Sequence, residues 1–140
     1  WGSGRTFHFT LTSLAMKPPR PYYLDLTQIR LPIGGWVSIF HRVSGAGLSL
    51  AIPVLLYVWM LSLRSPEDYA AVTGFLTGGF GFLIVLGVVW ALLHHLLAGL
   101  RHLGFDIGLG EAKETARRSA WAVLFAALGL TAIFMLGCLL

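Results

Sequence analysis

A lone cysteine, Cys138, set in a hydrophobic run, excludes an intrachain disulfide, a cysteine zinc site and an iron–sulfur cluster built by this chain alone. Acidic residues are nearly as scarce: Asp plus Glu total 6 in 140 residues, and no paired-carboxylate site for general acid–base work is formed. A glycine-rich phosphate loop and a nucleophile elbow are missing as well. Charged residues make up 11% of the chain against 56% hydrophobic, far too little charge for a soluble domain of this length. No basic patch is interleaved with aromatics, so the formal charge of +4 does not point to nucleic acid.

What the chain does hold is uncharged length. Residues 43–63, 69–100 and 119–140 contain no Asp, Glu, Lys or Arg. Each reaches the roughly 20 residues that a helix needs to cross a bilayer core. The expected fold is an all-α membrane protein with three transmembrane helices at about 36–63, 73–103 and 118–140. The first run is too long and begins too late to be a cleaved signal. Gly78-Gly79-Phe80-Gly81 falls inside the second expected helix, where small residues permit close helix packing.

Cations set the orientation. Arg5, Lys17, Arg20, Arg30 and Arg42 precede or open the first helix; Arg101, Lys113, Arg117 and Arg118 lie between the second and third. Arg64 alone falls on the other side. The N terminus and the second loop should therefore face the cytoplasm, or the matrix in an organelle, and the C terminus should face outward; the basic residues would also meet anionic lipid. Residues 1–35 read as a separate unit, an N-terminal extension and arm, ahead of a three-helix anchor over 36–140. Prolines at 18, 19, 21 and 32 keep residues 17–35 extended, with a turn expected near Pro32-Ile33-Gly34-Gly35. Met16 is a candidate natural start, which would make residues 1–15 an extension. An arm of this kind needs a soluble partner to lie on.

Two constellations carry chemistry. In the first helix Ser38, His41 and Arg42 stand at i, i+3 and i+4 and share a face. A hydroxyl, an imidazole and a guanidinium together can hold a quinone carbonyl or a haem propionate; alternatively, Arg42 snorkels to lipid headgroups and His41 sits in the interface. In the second helix His95, Gly99 and His102 stand at i, i+4 and i+7, close to Arg101 and Asp106. Imidazole on a buried helix face is a natural iron ligand, and a glycine one turn on leaves room for a porphyrin. His94 points about 100° away from His95, so the stripe favours His95 as the ligand. A hydrogen-bonded packing role for His95 stays open on these residues alone.

Arg20-Pro21, Leu24-Asp25-Leu26, Ile29-Arg30 and Pro32, then Ser38-x-x-His41-Arg42-x-Ser44-Gly45, then His95-x-x-x-Gly99-x-Arg101-His102-x-x-Phe105-Asp106-x-Gly108 resemble the cytochrome b556 subunits of succinate dehydrogenase, over about residues 17–140. Tyr22 replaces the family's usual aliphatic residue, a change of packing in the arm. The resemblance implies the large membrane anchor of respiratory complex II, part of a heteromeric helix bundle with a second small anchor, an iron–sulfur subunit and a flavoprotein. It implies His95 as one axial ligand of a haem b, with the other axial histidine on the second anchor. It further implies His41 and Arg42 near the haem propionates, and Ser38, Ile39, Arg42 and Asp106 at a ubiquinone site, with Arg101 a charge partner for Asp106. FAD and clusters would belong to the partners, and succinate chemistry would not occur in this chain. The implied location is a bacterial cytoplasmic (inner) membrane, ahead of the mitochondrial inner membrane. Alternatives are a fumarate-reductase-type anchor, a haem-free anchor, and a small transporter subunit; missing inverted repeats count against the last.

Overall fold

A computed structural model describes residues 30–140; the expected start site, and the expected arm as far as residue 29, lie outside the described residues. The described chain is helical: α1 (Ile33–Ser62), α2 (Pro66–Thr77), α3 (Gly79–Asp106) and α4 (Lys113–Leu139). Helices α1, α3 and α4 are each long and apolar enough to cross a membrane. The three expected spans are therefore present, with shifted boundaries.

At its start, α1 begins earlier than expected. Pro32 takes the N-cap position in an extended conformation, and its carbonyl accepts from the Gly35 N–H at 2.8 Å. Ile33, Gly34 and Gly35 thus form the first helical turn, where free N–H groups cost a helix little, and no separate turn precedes it. Helix α4 also starts early, at Lys113, because Glu114 reaches both Arg117 and Arg118 at 3.2 Å across i+3 and i+4 spacings.

The second expected span is divided. Ser65 caps α2 by accepting from the Asp68 N–H at 3.0 Å, with Pro66, Glu67 and Asp68 completing a favourable first turn. The Glu67 N–H and the Ser65 hydroxyl hold the Glu67 carboxyl below the usual carboxylate range. Gly78, extended at ψ 157°, then ends α2, and α3 starts at Gly79. The glycine group expected inside one helix is thus the joint between two. Packing still explains Gly81: a Cβ there would run into the Phe75 carbonyl, with Leu76 Cα at 3.2 Å. Gly81→Ala should therefore destabilise the joint by about 1–3 kcal/mol, seen as a lower Tm of the purified protein, because backbone rather than a movable side chain blocks the added methyl.

Helix α3 stops cleanly. Gly108 takes the left-handed conformation at φ 78°, with Gly108 N–H bonded to Phe105 O at 2.9 Å and Leu109 N–H to Gly104 O at 2.8 Å. This double bond closes the helix C-terminus in a form that favours glycine. The loop then turns back into α4, so the start of α1, the end of α3 and the start of α4 share one end of the bundle: Arg101 of α3 donates to Ser119 Oγ and Ala116 O of α4, both at 3.0 Å, and a Cβ on Gly34 would lie 3.3 Å from its guanidinium. A cavity of about 1000 Å³ opens at that end between Gly34, Arg101, Lys113 and Trp121.

The core itself is small. Val37, Ala98, Ala120 and Val123 are buried together, and Ile33, Leu97 and Leu124 pack on them. Small side chains at the crossing let helices approach closely, as membrane bundles require. Large apolar residues such as Leu50, Trp59, Leu83 and Phe125 point outward. That surface suits lipid and partner helices, not water.

Candidate functional site

Four histidines converge where α1 crosses α3, and they divide into two environments. The His41 ring of α1 stacks on the His95 ring of α3, with centroids 4.2 Å apart and planes 8° from parallel. His102, two turns further along α3, meets the His41 ring edge-on at 5.2 Å. The expected stripe of His95, Gly99 and His102 is thus the face of α3 that receives His41. The room beside Gly99 is taken by that ring, for a Cβ on Gly99 would lie 3.3 Å from His41 Nε2.

His95 is half-buried and oriented by its neighbour's backbone: Nδ1 lies 3.1 Å from the His41 carbonyl oxygen. A carbonyl only accepts, so Nδ1 carries the proton and Nε2 keeps its lone pair. The same carbonyl accepts from the buried Ser44 hydroxyl at 3.0 Å. Gly45 lies directly beneath the ring, where a Cβ would come within 2.7 Å of His95 Cε1 and 3.1 Å of Nδ1.

His94 occupies the other environment. It is fully buried, stacks on Trp90 at 5.3 Å and 15°, and meets Phe40 edge-on at 6.1 Å. Both of its ring nitrogens and the Trp90 Nε1 are buried without a hydrogen-bond partner. Such a ring is enclosed away from His95 and from the surface. His94→Leu should leave the His41–His95 stack unchanged and hold or raise the Tm, since an unpaired buried polar group costs about 1–3 kcal/mol.

The remaining expected site residues lie around this crossing. Ser38 is half-buried beside buried Val37, while Ile39, Arg42 and Asp106 are exposed. Arg101 is not the charge partner of Asp106. Its guanidinium bonds α4 through Ser119 and Ala116 and lies 4.4 Å over the Phe105 ring, and the ion pairs among the described residues are those of Glu114. A half-buried guanidinium takes fixed acceptors within its reach, and α4 supplies two.

For metal binding, the described residues offer no complete set of ligands. Parallel stacked rings cannot converge on one ion, His94 is enclosed, and the described residues hold no group of three or more metal-ligating side chains. A single imidazole with Nδ1–H fixed by a carbonyl fits a haem, whose porphyrin supplies four of the iron's ligands itself. Ser44, Gly45, Phe40 and Trp90 also pack at this crossing, although their residue types alone point to no role there. One signal for Gly45 was available: His41-Arg-Val-Ser-Gly45 repeats the histidine-to-glycine spacing of His95-Leu-Leu-Ala-Gly99.

Taken together, the three apolar spans and the histidine crossing define a helical membrane subunit with ionisable groups held in its interior. The family described as the succinate dehydrogenase/fumarate reductase transmembrane subunit matches residues 16–134. The chain belongs to that family. Among its relatives, the succinate dehydrogenase cytochrome b556 subunit of Paracoccus denitrificans is 36% identical over 105 residues, covering 75% of this chain and 81% of the relative. That of Coxiella burnetii is 37% identical over 109 residues, 77% and 87% of the two chains. The succinate dehydrogenase cytochrome b560 subunit of Reclinomonas americana is 31% identical over 126 residues, 86% and 85% of the two. Membership sets a membrane anchor in place of the transporter alternative.

Proposed function

We propose that this chain is the haem-bearing anchor of a succinate:quinone oxidoreductase, holding one side of a haem b and one wall of a ubiquinone site. The observation that carries the reading is the His95 Nδ1–H bond to the His41 carbonyl, which fixes the ring and leaves the lone pair on Nε2. Ligating histidines commonly hold their second nitrogen in this way. Haem b, when bound, supplies a one-electron carrier inside the bilayer.

The chain's own residues then have separable tasks. His95 Nε2 would ligate iron, with a further histidine supplied by a second small anchor subunit. His41 and Arg42 would bind the propionates. Ser38 and Arg42 would donate hydrogen bonds to a quinone oxygen, Ile39 would close the apolar wall, and Asp106 would stand at the quinone end as a carboxylate. Donors fixed before reaction stabilise the negative charge that grows on the quinone oxygens, and this is the chain's share of the catalysis. Succinate oxidation at FAD and electron passage through iron–sulfur clusters belong to partner subunits. The end of the bundle that carries Arg101, Lys113 and Arg117 would face the cytoplasm of a bacterial inner membrane, where cationic flanks accumulate.

The test is a reduced-minus-oxidised visible spectrum of the detergent-purified complex, together with identification of its co-purified quinone. A b-type α band with ubiquinone is expected. A complex without the band would be a haem-free anchor, and a low-potential quinone in place of ubiquinone would favour operation in the fumarate-reducing direction.

A further inference from the structure

The two histidine-to-glycine segments form a reciprocal clasp. On α1 the His41 ring lies over Gly99 of α3, and on α3 the His95 ring lies over Gly45 of α1. The rings fill the gap between antiparallel helices as a parallel stack. Gly45 removes an atom that would displace the His95 ring, and Gly99 one that would crowd the His41 ring at 3.3 Å. Only one of the two rings, however, is also fixed by a hydrogen bond to the opposite helix: His95 Nδ1–H to the His41 carbonyl, which Ser44 Oγ shares.

We propose that Ser44 and Gly45 are positioning residues for the His95 ligand: Gly45 sets how deeply the ring seats against α1, and Ser44 sets how strongly the His41 carbonyl draws on Nδ1–H. This rests on His95 being the haem ligand. The His41 carbonyl, inside α1, also accepts the helical Gly45 N–H; donors on one carbonyl compete for its electron density, so the Ser44 hydroxyl tempers the pull on Nδ1–H. A stronger pull makes the imidazole a better donor to iron and favours the ferric state; a broken bond does the reverse.

The signs are therefore opposite for two substitutions in adjacent residues. In Gly45→Ala the new methyl cannot coexist with His95 Cε1 at 2.7 Å, so the ring shifts and its bond to the carbonyl is lost. The purified complex should lose most of its haem per flavin, or keep it with a raised midpoint potential. In Ser44→Ala the competing donor is gone without added volume, and the midpoint potential should fall with haem content unchanged. Gly47→Ala is the control for helix effects, because a Cβ at Gly47 meets nothing within 4 Å. Wild-type haem content and potential in Gly45→Ala would overturn the proposal while leaving His95 as ligand intact. Should Gly45→Ala fail to accumulate, Ser44→Ala decides alone, and an unchanged potential there overturns the proposal. Absence of a b-type band from wild type would instead remove the reading on which it rests.

Discussion

His95→Leu abolishes the b-type α band of the purified complex while leaving the anchor in the membrane. Leucine has nearly the volume of the imidazole and no lone pair, so the substitution removes the proposed iron ligand and the Nδ1–H bond but keeps the space over Gly45 closed. What remains at the crossing is Val37, Ala98, Ala120 and Val123 in one packed cluster, which His95 does not enter. Assembly is thus expected to survive, with the flavin content of the purified complex within about twofold of wild type, since substitutions that leave the packed core intact are usually tolerated. His94 cannot rescue the band, for its ring is enclosed between Trp90 and Phe40 with no route for Nε2 to the site. A full α band in the variant would require another ligand and would refute the assignment. Loss of the whole complex from the membrane would assign His95 to packing.

That His95 and not His94 shares the α3 face that meets His41 was legible in the sequence, for a geometric reason. Adjacent helical residues diverge by about 100°, and only one of the two lines up with Gly99 and His102. Uncharged length similarly made the three spans readable, since nothing but a membrane accommodates so much exposed leucine, tryptophan and phenylalanine. The division of the second span was not readable. Gly78 sits in an uninterrupted apolar run, and whether such a glycine is tolerated within a helix or ends it depends on the backbone of α2 approaching Gly81, a tertiary fact. Arg101 was misassigned for a related reason. Its neighbour in sequence is Asp106, but its partners Ala116 and Ser119 come from α4 after a loop whose turn depends on Gly108. The roles proposed for Ser44 and Gly45 needed the crossing itself, because a hydroxyl bonded to its own helix says nothing until a donor from the opposite helix arrives at the same carbonyl.

Arg42→Ala is expected to lower succinate-driven quinone reduction by roughly a hundredfold while leaving succinate oxidation by a soluble dye within about twofold of wild type, which is the scale of removing one preorganised donor from a developing oxyanion. Arg42 is exposed on α1, four residues beyond Ser38 and next to His41. It bears none of the bundle's buried packing, unlike Arg101, whose removal would strip α4 of two hydrogen bonds. The substitution is therefore a clean probe of ligand binding. The two electron acceptors separate the tasks: the dye takes electrons from the soluble partners, whereas quinone, under the proposed function, is held where Ser38 and Arg42 stand on α1. Arg42→Lys sharpens the distinction, since a point charge can replace the cation but not the planar fork of donors. Lysine should then recover only part of the quinone activity. If quinone and dye activities fall together, the arginine serves assembly, and if neither falls, the quinone site lies on the partner chains alone.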